Sequence, residues 1–274
     1  MNRLARSCAI ALTIFGCADI VAANAADIPT RKAPPAPAPV YAPPPLFTWT
    51  GFYAGLNAGA IFGNTGSTKT IGTPAFIGLG PTLVPSSLDT AGTGFIGGGQ
   101  IGYNYQIGSI VFGAEADLDY SSLEKSARFT SAATVLGTTL TTDAKSRLDY
   151  LGTLRARLGY ALYDRLLVFA TGGLAYGGVR TSTDVIPNAI PGGLWSGSTS
   201  GGKAGYAVGG GAEYALTNYW TVKGEYLYYD LGKRTTSAVG NGVVRGIAAL
   251  NGVDYISSTR VAGSVVRVGL NYKF

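Results

Sequence analysis

The sequence predicts an all-β chain, specifically an eight-stranded antiparallel transmembrane β-barrel, and three observations carry that prediction. The chain closes on an alternating strand that stops at an aromatic residue, Val265 to Phe274. From Trp49 onward, alternating segments are joined in turn by short turns and long loops. The N-terminus has the composition of a secretory leader. In the last strand Ser264, Val266, Val268, Leu270, Tyr272 and Phe274 share one face, and Arg267, Asn271 and Lys273 the other. A period of two, with aliphatics and a closing aromatic on one side and charges on the other, suits a wall between lipid and water.

Arg3 and Arg6 form a positive n-region, Cys8 to Ala18 an apolar h-region, and Ala23-Asn24-Ala25 an A-x-A cleavage site. Residues 1–25 are therefore expected to be a signal peptide cleaved after Ala25, with Ala23 and Ala25 as the recognised small residues. Ile14-Phe15-Gly16-Cys17 also resembles a lipoprotein box, but Phe15 is bulky for one. The apolar run is too short to span a bilayer and is broken by Asp19.

Cleavage removes Cys8, Cys17 and the sole methionine from a chain that has no histidine. Disulfides, thiol nucleophiles and Cys or His metal sites are then excluded. The chain carries a formal charge of +6, but its basic residues are scattered, so no nucleic-acid partner is expected. Residues 26–46 hold eight of the thirteen prolines and read as an extended periplasmic segment without a core. The barrel is assigned to residues 47–274.

Strands are expected near 49–63, 94–106, 110–123, 147–162, 166–180, 203–216, 220–233 and 260–274. Connections at 107–109, 163–165 and 217–219 are tight, whereas those near 64–93, 124–146, 181–202 and 234–259 are long and rich in Gly, Ser, Thr and Ala. That asymmetry puts the turns and both termini in the periplasm and the loops outside. Pro74, Pro81, Pro85, Pro187 and Pro191 all fall in the predicted loops, where they interrupt no ladder.

Alternation also assigns faces. Phe112, Ala114, Ala116, Leu118 and Tyr120 point outward, as do Leu154, Ala156, Leu158 and Tyr160. The inward charges are Glu115, Asp117, Asp119, Glu213 and Glu225 against Arg155, Arg157, Lys223, Arg267 and Lys273. Five of each sign make a balanced set able to pair across a narrow lumen. A soluble barrel would reverse these faces. Aromatics gather toward both strand ends, as in two interfacial girdles: Tyr103, Tyr105, Tyr160, Tyr214, Tyr272 and Phe274 at the turn end, Phe62, Tyr120, Tyr176 and Tyr228 at the loop end.

Several runs resemble the alphaproteobacterial family of major immunogenic outer-membrane proteins, which includes haemin-binding and porin-annotated relatives. They are Trp49-Thr50-Gly51-Phe52-Tyr53, Gly152 to Tyr160, Thr171 to Gly177, Gly224 to Lys233 and Val266 to Phe274. The resemblance covers most strands and little of the loops. It implies an eight-stranded barrel in the outer membrane and an abundant surface antigen.

Catalytic chemistry has little to draw on. Gly97-Gly98-Gly99-Gln100-Ile101-Gly102 matches a dinucleotide fingerprint, but a hairpin turn follows it instead of the helix that such a site needs. Ser-His and Cys-His pairs are impossible, and the inward carboxylates are more simply ion-pair partners. An eight-stranded lumen is about wide enough for side chains to fill, whereas aqueous channels take about sixteen strands.

The expected function is non-enzymatic and cofactor-free: a structural and surface-antigen barrel, its lumen closed by salt bridges. Val268, Leu270, Tyr272 and Phe274 would form the assembly signal. The expected partners are outer-membrane lipid and lipopolysaccharide, the barrel-assembly machinery, periplasmic chaperones and host surfaces. The alternative is a haemin-binding or porin-like uptake protein, with Tyr as iron ligand or Lys125, Arg128, Lys145, Lys233, Arg234 and Arg245 meeting the propionates.

Overall fold

The computed structural model describes residues 47–72, 87–132 and 137–274. The expected signal peptide, the expected Pro-rich segment and Pro74, Pro81 and Pro85 lie outside the described residues. Eight strands follow one another as β1 (Gly51–Gly72), β2 (Ser87–Ile107), β3 (Ile110–Thr130), β4 (Leu140–Tyr163), β5 (Leu166–Pro187), β6 (Trp195–Ala215), β7 (Trp220–Gly240) and β8 (Tyr255–Lys273). Each pairs antiparallel with its neighbour, and β8 closes on β1. Closure leaves every strand flanked by two neighbours, so the wall has no edge strand.

The turns are short because their sequences permit it. Between β2 and β3 only Gly108 and Ser109 intervene, and Gly108 takes φ +59°, which costs glycine little. Asp164 and Arg165 join β4 to β5. At the opposite end the connections are longer. That from β7 to β8 contains a short helix, α1 (Gly242–Arg245), whose N-cap Asn241 accepts from the Val244 amide.

The strands run well past their expected ends at the loop side. They are 19 to 24 residues long, roughly twice the about 9–11 that a tilted strand needs to cross a bilayer. Much of what reads as loop in the sequence is thus strand, including most of 124–146 and 181–202. Pro187 becomes the last residue of β5, at the strand end where its missing N–H does least harm.

Two bulges explain why the alternation breaks off. Register shifts occur in β4 between Leu148 and Tyr150 and in β7 between Asp230 and Lys233, the latter around Gly232 at φ +77°. One extra residue exchanges the two faces of a strand. In β4, Leu151, Thr153 and Arg155 face inward below the bulge, and Leu148, Ser146 and Ala144 face inward above it. The ladder between β6 and β7 is also interrupted, from Ser196 to Tyr206. There Arg234 Nη1 donates to the Gly201 carbonyl at 3.1 Å.

Candidate functional site

The interior is filled in layers. At the turn end Trp49, Val111, Leu167 and Ala215 form an apolar floor, with Phe47 and Ala161 packed against it. Trp49 is held there by its amide, which donates to Gln106 Oε1 at 2.8 Å, and by the Phe47 ring at 4.9 Å.

Above the floor lies the charge layer. Arg155 from β4 reaches Glu115 at 2.6 Å, Asp117 at 2.8 Å and Glu225 at 2.5 Å. Arg267 from β8 meets Asp119 at 2.6 Å, Glu225 at 2.8 Å and Asp117 at 2.9 Å. Lys223 lies 2.8 Å from Glu115 and 3.6 Å from Glu225. Arg157 pairs separately with Glu213, and its guanidinium stacks 3.7 Å from the Phe169 ring centre. All these side chains are at most a few per cent exposed. Burying so many ions is costly, and only near-complete pairing offsets that cost.

Lys273 does not join them. It sits at the turn end, where its ammonium donates to the Thr48 carbonyl and stands 5.1 Å from the Phe47 ring. This corrects the tenfold set: the layer holds five acids and four bases. Neutral donors compensate for the missing base. Tyr53 Oη donates to Glu115 at 2.6 Å, Thr153 to Asp117 at 2.7 Å, Thr221 to Glu213 at 2.5 Å and Asn271 to Glu213 at 2.9 Å. Gln100 links into the set through Asn271 Oδ1 at 2.5 Å. Apart from Asn271, which alternation already put on the face of Arg267, these neutral members were not singled out from the sequence, although each occupies the inward phase of its strand.

Over the charges lies an apolar layer, including Ile61, Ile96, Leu123, Leu148, Val179, Leu227 and Tyr229. At the top, Leu140, Val185, Trp195, Ala238 and Tyr255 pack with Val244, Leu250 and Val253 of the β7–β8 connection. Trp195 Nε1 donates to the Val253 carbonyl at 2.7 Å, fastening that connection to β6.

The outer face differs along its length. Between the belts it is apolar: Leu118, Leu154, Leu158, Leu174, Val208 and Val268 are exposed. Exposed rings ring both margins, Tyr103, Tyr105, Tyr160, Tyr214, Tyr272 and Phe274 at one and Phe62, Phe95, Tyr120, Tyr150, Tyr176 and Tyr206 at the other. Val268, Leu270, Tyr272 and Phe274 all face outward. The Phe274 ring lies 5.2 Å from Tyr272, and its amide donates to the Phe52 carbonyl at 2.9 Å.

Four of the six bases considered for haemin have other surroundings. Lys125 and Arg234 are buried inside the barrel, Arg128 pairs with Asp143 at 2.6 Å, and Arg245 lies 3.6 Å from Asp254.

Residues 37–274 match the family described as outer membrane protein beta-barrel domain. The chain is 40% identical over 238 residues to a 31 kDa outer-membrane immunogenic protein of Brucella melitensis, covering 86% of this chain and 88% of the relative. It is 31% identical to a 22 kDa outer membrane protein of Rhizobium leguminosarum, over 68% of this chain and 66% of that one. Among solved structures, the outer membrane protein OprG from Pseudomonas aeruginosa overlaps 82% of this chain and 96% of its own, with 17% identity and a TM-score of 0.46. The chain is an outer-membrane β-barrel protein and belongs to the family of alphaproteobacterial immunogenic outer-membrane proteins.

Proposed function

We propose that this protein is a closed, non-enzymatic barrel that reinforces the outer membrane and presents a surface antigen, without conducting solutes. The observation that carries the reading is the filling of the interior: an ion-pair layer lies between apolar layers, and the β7–β8 connection packs against the inner wall of β4 to β8 at the loop end. A porin needs a continuous aqueous path, and a buried network with most of its charges paired argues against one. In the same reading Glu115, Asp117, Asp119, Arg155, Arg157, Glu213, Lys223, Glu225 and Arg267 brace the wall from inside. Val268, Leu270, Tyr272 and Phe274 offer the barrel-assembly machinery an outward-facing terminal strand, after periplasmic chaperones have carried the chain there. The loop end meets lipopolysaccharide and host surfaces.

Conductance of the refolded mature protein in a planar bilayer tests the proposal. The expected trace is flat. Large, stable steps like those of a general porin would overturn it and move an uptake role to first place.

A further inference from the structure

We infer, resting on the proposed contact of the loop end with lipopolysaccharide, that the outer wall of β4 and β5, immediately beyond the loop-end aromatic belt, binds the oxyanion groups (phosphate or carboxylate) of the outer leaflet's glycolipid headgroups. The β4 bulge at Leu148–Tyr150 turns Lys145 and Arg147 outward. Register then sets Arg147 directly opposite Arg180 of β5, and Lys145 opposite Ser182. Like charges facing each other across a ladder repel. Asp149, 3.2 Å from Arg147 Nε and 2.9 Å from Arg180 Nε, and Glu124, opposite Arg147 on β3, ease that only in part. The Arg147 and Arg180 side chains stay 51% and 72% exposed. With Ser198, Ser200 and Glu124 they line a groove of about 400 Å³. Three bases against the carboxylates of Asp149 and Glu124 leave the groove positive, and its serines add hydroxyl donors.

Position identifies the occupant. The exposed rings of Tyr150 and Tyr176 mark the membrane interface on these strands. Tyr150 pairs with Gly178, and Arg180 is two residues further out, about 7 Å along the strand. That height is where lipid headgroups lie, so the groove opens sideways onto glycolipid. A paired-arginine site suits the planar, bidentate geometry of phosphate and carboxylate.

The test uses full-length mature protein in phosphatidylcholine nanodiscs, titrated with bisphosphorylated lipid A and with the same lipid after chemical dephosphorylation. Native mass spectrometry would count the bound lipid. Arg147→Gln with Arg180→Gln is expected to weaken lipid A binding about tenfold, and dephosphorylation to weaken binding to the wild type similarly. Ser182→Asp, which leaves both arginines in place, should weaken it in the same direction. Heat-dependent gel mobility reports that each variant is still a closed barrel. Equal binding of the two lipids, or unchanged binding by the variants, would overturn the proposal. Displacement of lipid A by inorganic phosphate at equal concentration would assign a free-phosphate site instead and overturn the glycolipid assignment; failure to displace it supports the proposal.

Discussion

Between the two aromatic belts the barrel carries leucines and valines outside and ions inside; beyond the loop-end belt the arrangement reverses. There Lys145, Arg147, Arg180, Glu124 and Arg128 face outward, while Leu123, Leu148, Val179, Val185 and Trp195 are buried within. One sheet runs through both regions, so the reversal is imposed by the medium outside the wall. Lipid selects an apolar exterior and water a polar one. A wall residue on the wrong side in either region is costly, so the sheet must exchange faces in some strands where the medium changes. The bulges of β4 and β7 do so at the level of Tyr150 and Asp230. The outer half thus approaches the sense of a soluble barrel, with oily side chains inside beside the buried Lys125, Arg234 and several threonines.

The comparison can be broken at each end separately. Arg267→Ala removes the main partner of Asp119 and leaves buried acids without compensation, an expected loss of about 3–5 kcal/mol. Trp195→Ala empties the packed mouth at a cost of about 3–5 kcal/mol. Hydrogen exchange should divide the two variants: Trp195→Ala raises exchange in β6 and β7 beyond Tyr206, and Arg267→Ala does so between the belts. Identical, uniform exchange in both would mean one cooperative unit and dissolve the distinction between halves.

Outward substitutions sharpen the contrast. Leu154→Arg puts a cation into lipid and is expected to cost about 2–4 kcal/mol in denaturant unfolding from vesicles. Ser237→Arg, exposed on the outer half of β7, should stay within about 0.5 kcal/mol of wild type. Asn241→Ala acts locally, removing the cap of α1 and about 1 kcal/mol of stability confined to the β7–β8 connection. Protease nicking within 241–254 should quicken while the unfolding midpoint barely moves.

How far this was legible in the sequence follows from the same bulges. Where a strand keeps one phase between lipid and lumen, as β3 does from Val111 to Tyr120, alternation assigns each face residue by residue. Above Tyr150 the phase slips by one, and Ser-, Thr- and Gly-rich composition in 181–202 then reads as loop. The inner layer was legible where charge and parity agreed. Lys273 shows the limit, since parity alone does not reveal that the lumen ends before it. The groove of Arg147 and Arg180 was hidden altogether, because their 33-residue separation closes only through strand register.

The length of the strands bears on how the immune system meets such a surface. Antibodies reaching the outer half would contact a stiff lattice of side chains drawn from neighbouring strands about 4.8 Å apart. Determinants of that kind are discontinuous in sequence. They vanish when the ladder is unzipped, so sera raised against the folded barrel should lose most of their reactivity toward boiled protein and toward linear peptides from β3 to β6.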